Sequence, residues 1–162
     1  MSMIRPLTLL LTATLALSAC SQKSGDQGQA APAAAAPAAP AATLPRQKAP
    51  DGTTVSFTGI KDGDTVTSPF KVGFAVTGAK IAPAGTTDPG TGHFHLIIDS
   101  DLPPQDAPLP ANEHVKHYGK AQTEDTITLP PGSHTLQIEL ADGLHLPFDP
   151  PVVSDKITVT VK

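Results

Sequence analysis

Apolar side chains recur at every second position along much of the chain's second half. Phe70, Val72, Phe74 and Val76 alternate with Lys71, Gly73, Ala75 and Thr77, and Phe94, Leu96 and Ile98 alternate with His93, His95, Ile97 and Asp99. Leu136, Ile138 and Leu140 alternate with Thr135, Gln137 and Glu139; Ile157, Val159 and Val161 alternate with Lys156, Thr158, Thr160 and Lys162. A period of two puts all the apolar groups of a strand on one face, whereas a helix would need a period near 3.6. Shorter runs begin at Val55–Phe57 and end at Ile127–Leu129, and no segment of the head carries a helical pattern. Proline and glycine punctuate the intervals, as at Lys61-Asp62-Gly63-Asp64. The pattern predicts an all-β head over residues 51–162, an antiparallel β-sandwich of half-buried strands with one core. Strands are expected at 54–60, 70–77, 92–99, 122–129, 133–141 and 155–161, with a short fourth-position strand D at 114–118. With five Phe and no Trp, β-branched residues must supply much of the packing.

The segment Leu129-Pro130-Pro131-Gly132-Ser133-His134-Thr135-Leu136 resembles the L-x-P-G-x-Y-x-L corner before strand F of immunoglobulin-like domains. There a Tyr hydroxyl ties back to upstream backbone, and here His134 holds the Tyr position. His134 shares parity with Leu136, Ile138 and Leu140, so it is expected inside, as a structural hydrogen-bonder. The expected topology is therefore immunoglobulin-like.

The first 50 residues do not belong to that head. Arg5 precedes a short apolar stretch from Pro6 to Ala19, too short for a typical membrane span of about 20 residues, so residues 1–19 read as a secretory signal peptide. Leu17-Ser18-Ala19-Cys20 resembles the bacterial lipoprotein box, which implies lipidation at Cys20, the chain's one cysteine. The head then has no disulfide and no thiolate ligand. Ser21, rather than Asp, follows Cys20, which by the sorting rule of such lipoproteins implies the periplasmic face of the outer membrane. Residues 20–50 hold eleven Ala and five Pro and little that is bulky and apolar, so they are expected to form a flexible, disordered tether.

GHFHLIID (92–99), HYGKAQTE (117–124), PPGSHTLQIEL (130–140) and HLPFDPPVVSDKITVTV (145–161) together resemble a bacterial family known as domain of unknown function 4399. The resemblance runs from about residue 52 to the end, with the four motifs in order, and it implies no activity. Two positions depart from the family's pattern: Phe94 stands at the middle His of GHHH, and Phe148 at the second His of HxPH. Phe94 has core parity, so a histidine there would be a poor ligand.

His93 and His95 share one strand face, about 7 Å apart along the strand. In the expected topology the start of strand C lies beside the end of strand F, which brings His145 toward His93. His117 falls at the same end, with Gln122 and Glu124 after it as accessory candidates and His114 before it. Five of the six histidines could then converge, with His134 at the opposite corner. Imidazole and carboxylate ligands without sulfur suit Zn²⁺ or Cu²⁺ rather than Cu⁺. The expected ligands are His93, His95, His117 and His145, with affinity falling below about pH 6.5 as imidazole protonates.

Nothing in the chain carries an enzyme signature: no G-x-S-x-G, no H-E-x-x-H and no phosphate loop. Asp99-Ser100-Asp101 opens like a calcium loop, but Leu102-Pro103-Pro104 breaks it. A formal net charge of −4 and the lack of basic patches argue against nucleic acid. Three classes of function stand. The first is a lipid-anchored binding or structural module of the envelope with a protein partner. The second is a periplasmic metal-binding lipoprotein. The third is a hydrolase or oxidase built on a His-ligated metal.

Overall fold

The computed structural model describes residues 45–162. The expected signal peptide, the lipidation site at Cys20 and most of the tether lie outside the described residues. Among the described residues every regular element is a strand: β1 (Thr54–Thr58), β2 (Thr65–Val66), β3 (Phe70–Thr77), β4 (Lys80–Ile81), β5 (Thr91–Ile98), β6 (Val115–His117), β7 (Glu124–Ile127), β8 (Gly132–Ala141), β9 (Pro147–Val153) and β10 (Ile157–Val161).

The strands form two sheets. One has the order β1-β3-β7; the other runs β2-β10-β8-β5-β4, with β6 also paired to β5 and β9 also paired to β8. This is the A-B-E and G-F-C arrangement of an immunoglobulin-like sandwich, with β2 parallel to β10 at the edge. Between the sheets lie Val72, Phe74, Val55 and Ile127 from the first and Phe94, Leu96, Leu136, Ile138, Leu140 and Val159 from the second. Phe74 bridges the layers, its ring centroid 5.4 Å from Phe94 and 4.8 Å from Tyr118. Phe94 and Phe148 are both wholly buried in this core.

Three differences from the sequence expectation matter for the site. The segment expected as strand D is β6, and it pairs with β5 instead of joining the β1-β3-β7 sheet. The stretch 147–153, expected as part of the connection before the last strand, forms β9 against β8, with only Pro147, Val152 and Val153 in register because Pro150 and Pro151 offer no N–H to the ladder, and the strand expected at 155–161 is β10. Finally, β5 is buried on both faces along its whole length. Ile97, Leu109, Val115 and Leu146 are at most 5% exposed yet stand apart from the inter-sheet core. The 99–114 connection folds back to help cover this outer face, with Leu109 N–H donating to His145 O at 2.8 Å.

The chain joins the sandwich ahead of residue 51. The Arg46 guanidinium donates to the carbonyls of Pro147 and Phe148, Gln47 O accepts from Asp149 N–H at 2.8 Å, and Gln47 Nε2 donates to Asp142 at 3.2 Å.

Candidate metal centre

Pairing places the imidazoles before any side chain is considered. In β5 the residues at 93, 95 and 97 face away from the core. His95 is directly opposite His117 on β6 and directly opposite Glu139 on β8, so these three side chains share the outer face with His93. His145 arrives from the turn between β8 and β9. Asp142 builds that turn: its Oδ1 accepts from Leu144 N–H at 2.8 Å and Leu146 N–H at 3.0 Å, and its carbonyl accepts from His145 N–H at 2.9 Å. The price is a left-handed backbone at His145, φ 67°, uncommon for a residue with a β-carbon.

Two glycines make room for this arrangement. A β-carbon at Gly119 would collide with Cε1 and Nε2 of His117, so the ring can fold back only over a glycine. A β-carbon at Gly143 would collide with Thr86 O, which crosses the turn beside the Gly85 N–H to Gly143 O bond of 2.8 Å.

The result is a four-imidazole cluster. Ring centroids of His93 lie 4.9 Å from each of His95, His117 and His145, and those of His117 and His145 lie 4.7 Å apart. His93 Nε2 is 3.1 Å from His95 Nε2, and His117 Nε2 is 3.1 Å from His145 Nε2. One ligating nitrogen from each of His93, His95 and His117 fits within 4.8 Å of the others. Nitrogens about 2.0–2.1 Å from a tetrahedral Zn²⁺ are about 3.3 Å apart, close to the observed pair spacing. His93 and His95 are no more than 1% exposed, whereas His117 and His145 reach solvent, so the cluster has a floor and an open rim.

Burial, and then the neighbouring imidazoles, push His93 down to about 4 and His95 down to about 3. Burial and His145 lower His117 as well. The floor of the cluster is therefore neutral at physiological pH and has lone pairs to offer. Its two Nδ1 atoms are buried without a hydrogen-bond partner, as are both carboxylate oxygens of Glu139. Burial raises the Glu139 carboxyl, against the pull of Gln105 and the Arg46 guanidinium.

The other residues singled out from the sequence lie elsewhere. Glu124 pairs with Lys71 at 2.9 Å in the opposite sheet, because β7 pairs with β3. Gln122 Oε1 accepts from Lys120 N–H at 2.8 Å within its own turn. His114 Nδ1 bonds Ile98 O at 3.0 Å, toward the far end of β5. None of these three joins the cluster. His134 is 8% exposed; its Nδ1 donates to Asp99 at 2.6 Å and its Nε2 to Pro130 O at 2.9 Å. Both partners are acceptors, so only the imidazolium form satisfies both contacts, and the Asp99 hydrogen bond raises the ring above its ordinary value.

Sequence reasoning missed Glu139 and Gly119. Glu139 was placed by parity on the polar side of a half-buried strand, and nothing in the pattern announced that loops would cover that side. The Gly119 signal was visible only as the Gly two residues after His117 in HYG.

No curated protein and no solved structure matches the chain. One family model, described as a domain of unknown function (DUF4399), matches residues 72–162, which include all four clustered histidines and most of the sandwich. On that match over more than half of its length, the chain belongs to the DUF4399 family.

Proposed function

We propose that the head is a divalent transition-metal-binding module, for Zn²⁺ or Cu²⁺, held by His93, His95, His117 and His145. The observation that carries this reading is the double Nε2 approach at 3.1 Å, one pair on the buried floor and one at the rim. A purely structural role explains it poorly. Four imidazoles, two of them with buried, unpartnered Nδ1 atoms, cost stability in a metal-free fold, since each orphaned polar group costs about 1–3 kcal/mol. A shared ion turns that cost into ligation energy. With no thiolate or thioether among the described residues, the donor set favours Zn²⁺ and Cu²⁺ over Cu⁺. The open rim lets an ion enter and leaves room for an outside ligand.

The setting we propose for this module is the cell envelope, with Cys20 lipidated and the head carried on the Ala/Pro-rich segment. The support is the Leu17–Cys20 box that ends an apolar leader. A fatty-acid probe should label the wild type in cells and leave Cys20→Ala unlabelled; equal labelling of both removes the anchor.

Calorimetry of the full chain with Zn²⁺ and with Cu²⁺ tests the metal reading. Wild type should bind one ion, and the His93→Ala, His95→Ala double variant should lose nearly all of that binding. Equal binding by both proteins would show that the paired histidines are not the site.

A further inference from the structure

The metal reading leaves one buried group without a task. Glu139 is 0% exposed, and neither of its carboxylate oxygens has a hydrogen-bond partner among the described residues. A buried carboxylate without donors is costly and is seldom kept without a reason. Gln105 and Arg46 lie near enough to pull on the carboxyl, but neither comes within hydrogen-bond distance of its oxygens. Gln105 turns its amide N–H toward Pro103 O at 2.9 Å and leaves its own Oε1 buried and unpartnered. The Arg46 guanidinium is committed to the carbonyls of Pro147 and Phe148 and to Asp149.

The complementary deficit lies across the ladder. His95 is the cross-strand partner of Glu139, on the same face of the sheet, and its Nδ1 is also buried and unpartnered. Facing positions on neighbouring strands hold their β-carbons about 4.5–5.5 Å apart. His95 turns Nε2 toward the other rings, so a metal taken at Nε2 fixes the ring proton on Nδ1. That N–H then needs an acceptor, and a carboxylate is the acceptor that best raises the ligand's basicity.

We propose that Glu139 is the positioning residue of the metal centre, accepting the Nδ1–H of His95, directly or through one water, when Nε2 of that ring ligates the ion. The proposal rests on the metal reading above. It makes the orphaned carboxylate and the orphaned imidazole nitrogen two halves of one contact that metal binding completes. The carboxylate also offsets part of the charge that a divalent cation brings among four neutral rings.

The test uses the full chain with Zn²⁺ as probe, comparing wild type, Glu139→Leu and Glu139→Gln. Leucine fills similar space without an acceptor, and glutamine keeps one acceptor oxygen. Glu139→Leu should bind Zn²⁺ about 10–100-fold more weakly, the usual effect of removing a carboxylate behind a metal-bound imidazole. Glu139→Gln should recover most of that loss. The metal-free Glu139→Leu protein should melt no lower than wild type, because an unpartnered buried acid has been removed. Imidazole ¹⁵N–¹H spectra of the Zn²⁺-loaded wild type should show a protected His95 Nδ1–H that is shifted in Glu139→Gln and exchanges away in Glu139→Leu. If wild type binds Zn²⁺ and Glu139→Leu matches it in affinity and spectrum, the assignment of Glu139 is overturned while the metal site stands. A metal-free melting temperature that falls in both variants, with affinity unchanged in both, also overturns it. If wild type takes up no Zn²⁺, the site and the role of Glu139 fall together.

Discussion

Replacing His134 by Ala isolates the corner that joins β8 to the rest of the sandwich. The wild-type ring donates from Nδ1 to Asp99 at 2.6 Å and from Nε2 to Pro130 O at 2.9 Å. Alanine leaves both acceptors without that donor. A hydrogen bond between charged groups is worth about 1.5–3 kcal/mol and an ordinary one about 0.5–1.5 kcal/mol. The Asp99 side chain is 37% exposed, so solvent screening puts the ion pair near the low end. The expected loss is about 2–3 kcal/mol, or roughly 10 °C in Tm for a domain of this size. The loss also has a definite pH dependence. The Asp99 hydrogen bond, opposed by burial, raises His134 above its ordinary value. A base whose folded pKa is raised gives stability that is full below the unfolded value, about 6.5, and is lost as pH rises through the folded pKa. Asp99 is held below its usual range by His134 and the Thr135 N–H, although burial acts the other way. Its contribution is present above about pH 4 and fails as the pH falls through its depressed pKa. The stability difference between wild type and His134→Ala should thus peak between about pH 4 and 6.5 and shrink by roughly 1 kcal/mol toward pH 9, where the neutral ring keeps one donor. Urea unfolding of both proteins across that range measures it, and other titrating groups cancel in the difference. A difference near zero, or one that does not change with pH, would refute the charged-corner argument. His134→Tyr should cost less than His134→Ala, because a phenol restores one donor.

Four further outcomes are expected. Protonation of His93 and His95 should not weaken Zn²⁺ binding between pH 7.5 and 6, because burial and then the neighbouring rings hold His93 at about 4 and His95 at about 3. A tenfold loss over that interval in a chelator competition would contradict this. In the metal-free protein the same depressed values mean that the unfolded chain takes up protons first. Stability should therefore decline as the pH falls from about 6.5 toward 4. Gly119→Ala should weaken Zn²⁺ binding about tenfold, with little change in Tm, since the new methyl displaces the His117 ring and little else. A chain beginning at residue 51 should be about 2 kcal/mol less stable to urea than one beginning at residue 45, having lost the bonds of Arg46 and Gln47 to the β8–β9 turn and to β9.

The strand period alone determined the fold class. Alternation at Phe70–Thr77, Phe94–Asp99, Thr135–Leu140 and Lys156–Lys162 leaves a chain one economical way to bury its apolar groups, between two sheets, and the Pro-Pro-Gly corner orients the hairpin. It also determined that His93 and His95 share a face and that Phe94 does not, because parity in a strand is fixed by the backbone. What alternation does not encode is which strands are neighbours and what covers their outer faces. The pairing of β6 with β5, not with the opposite sheet, sets His117 opposite His95, while the pairing of β7 with β3 holds Glu124 in the other sheet. The fold-back of the 99–114 connection and the left-handed turn at His145 rest on single hydrogen bonds, from backbone and from the Asp142 carboxylate, to which hydrophobic period is blind. Glu139 shows the difference most plainly. In sequence it is a charged residue on the outward side of a strand, and only the loops laid over that side by tertiary folding turn it into a buried acid facing a buried imidazole.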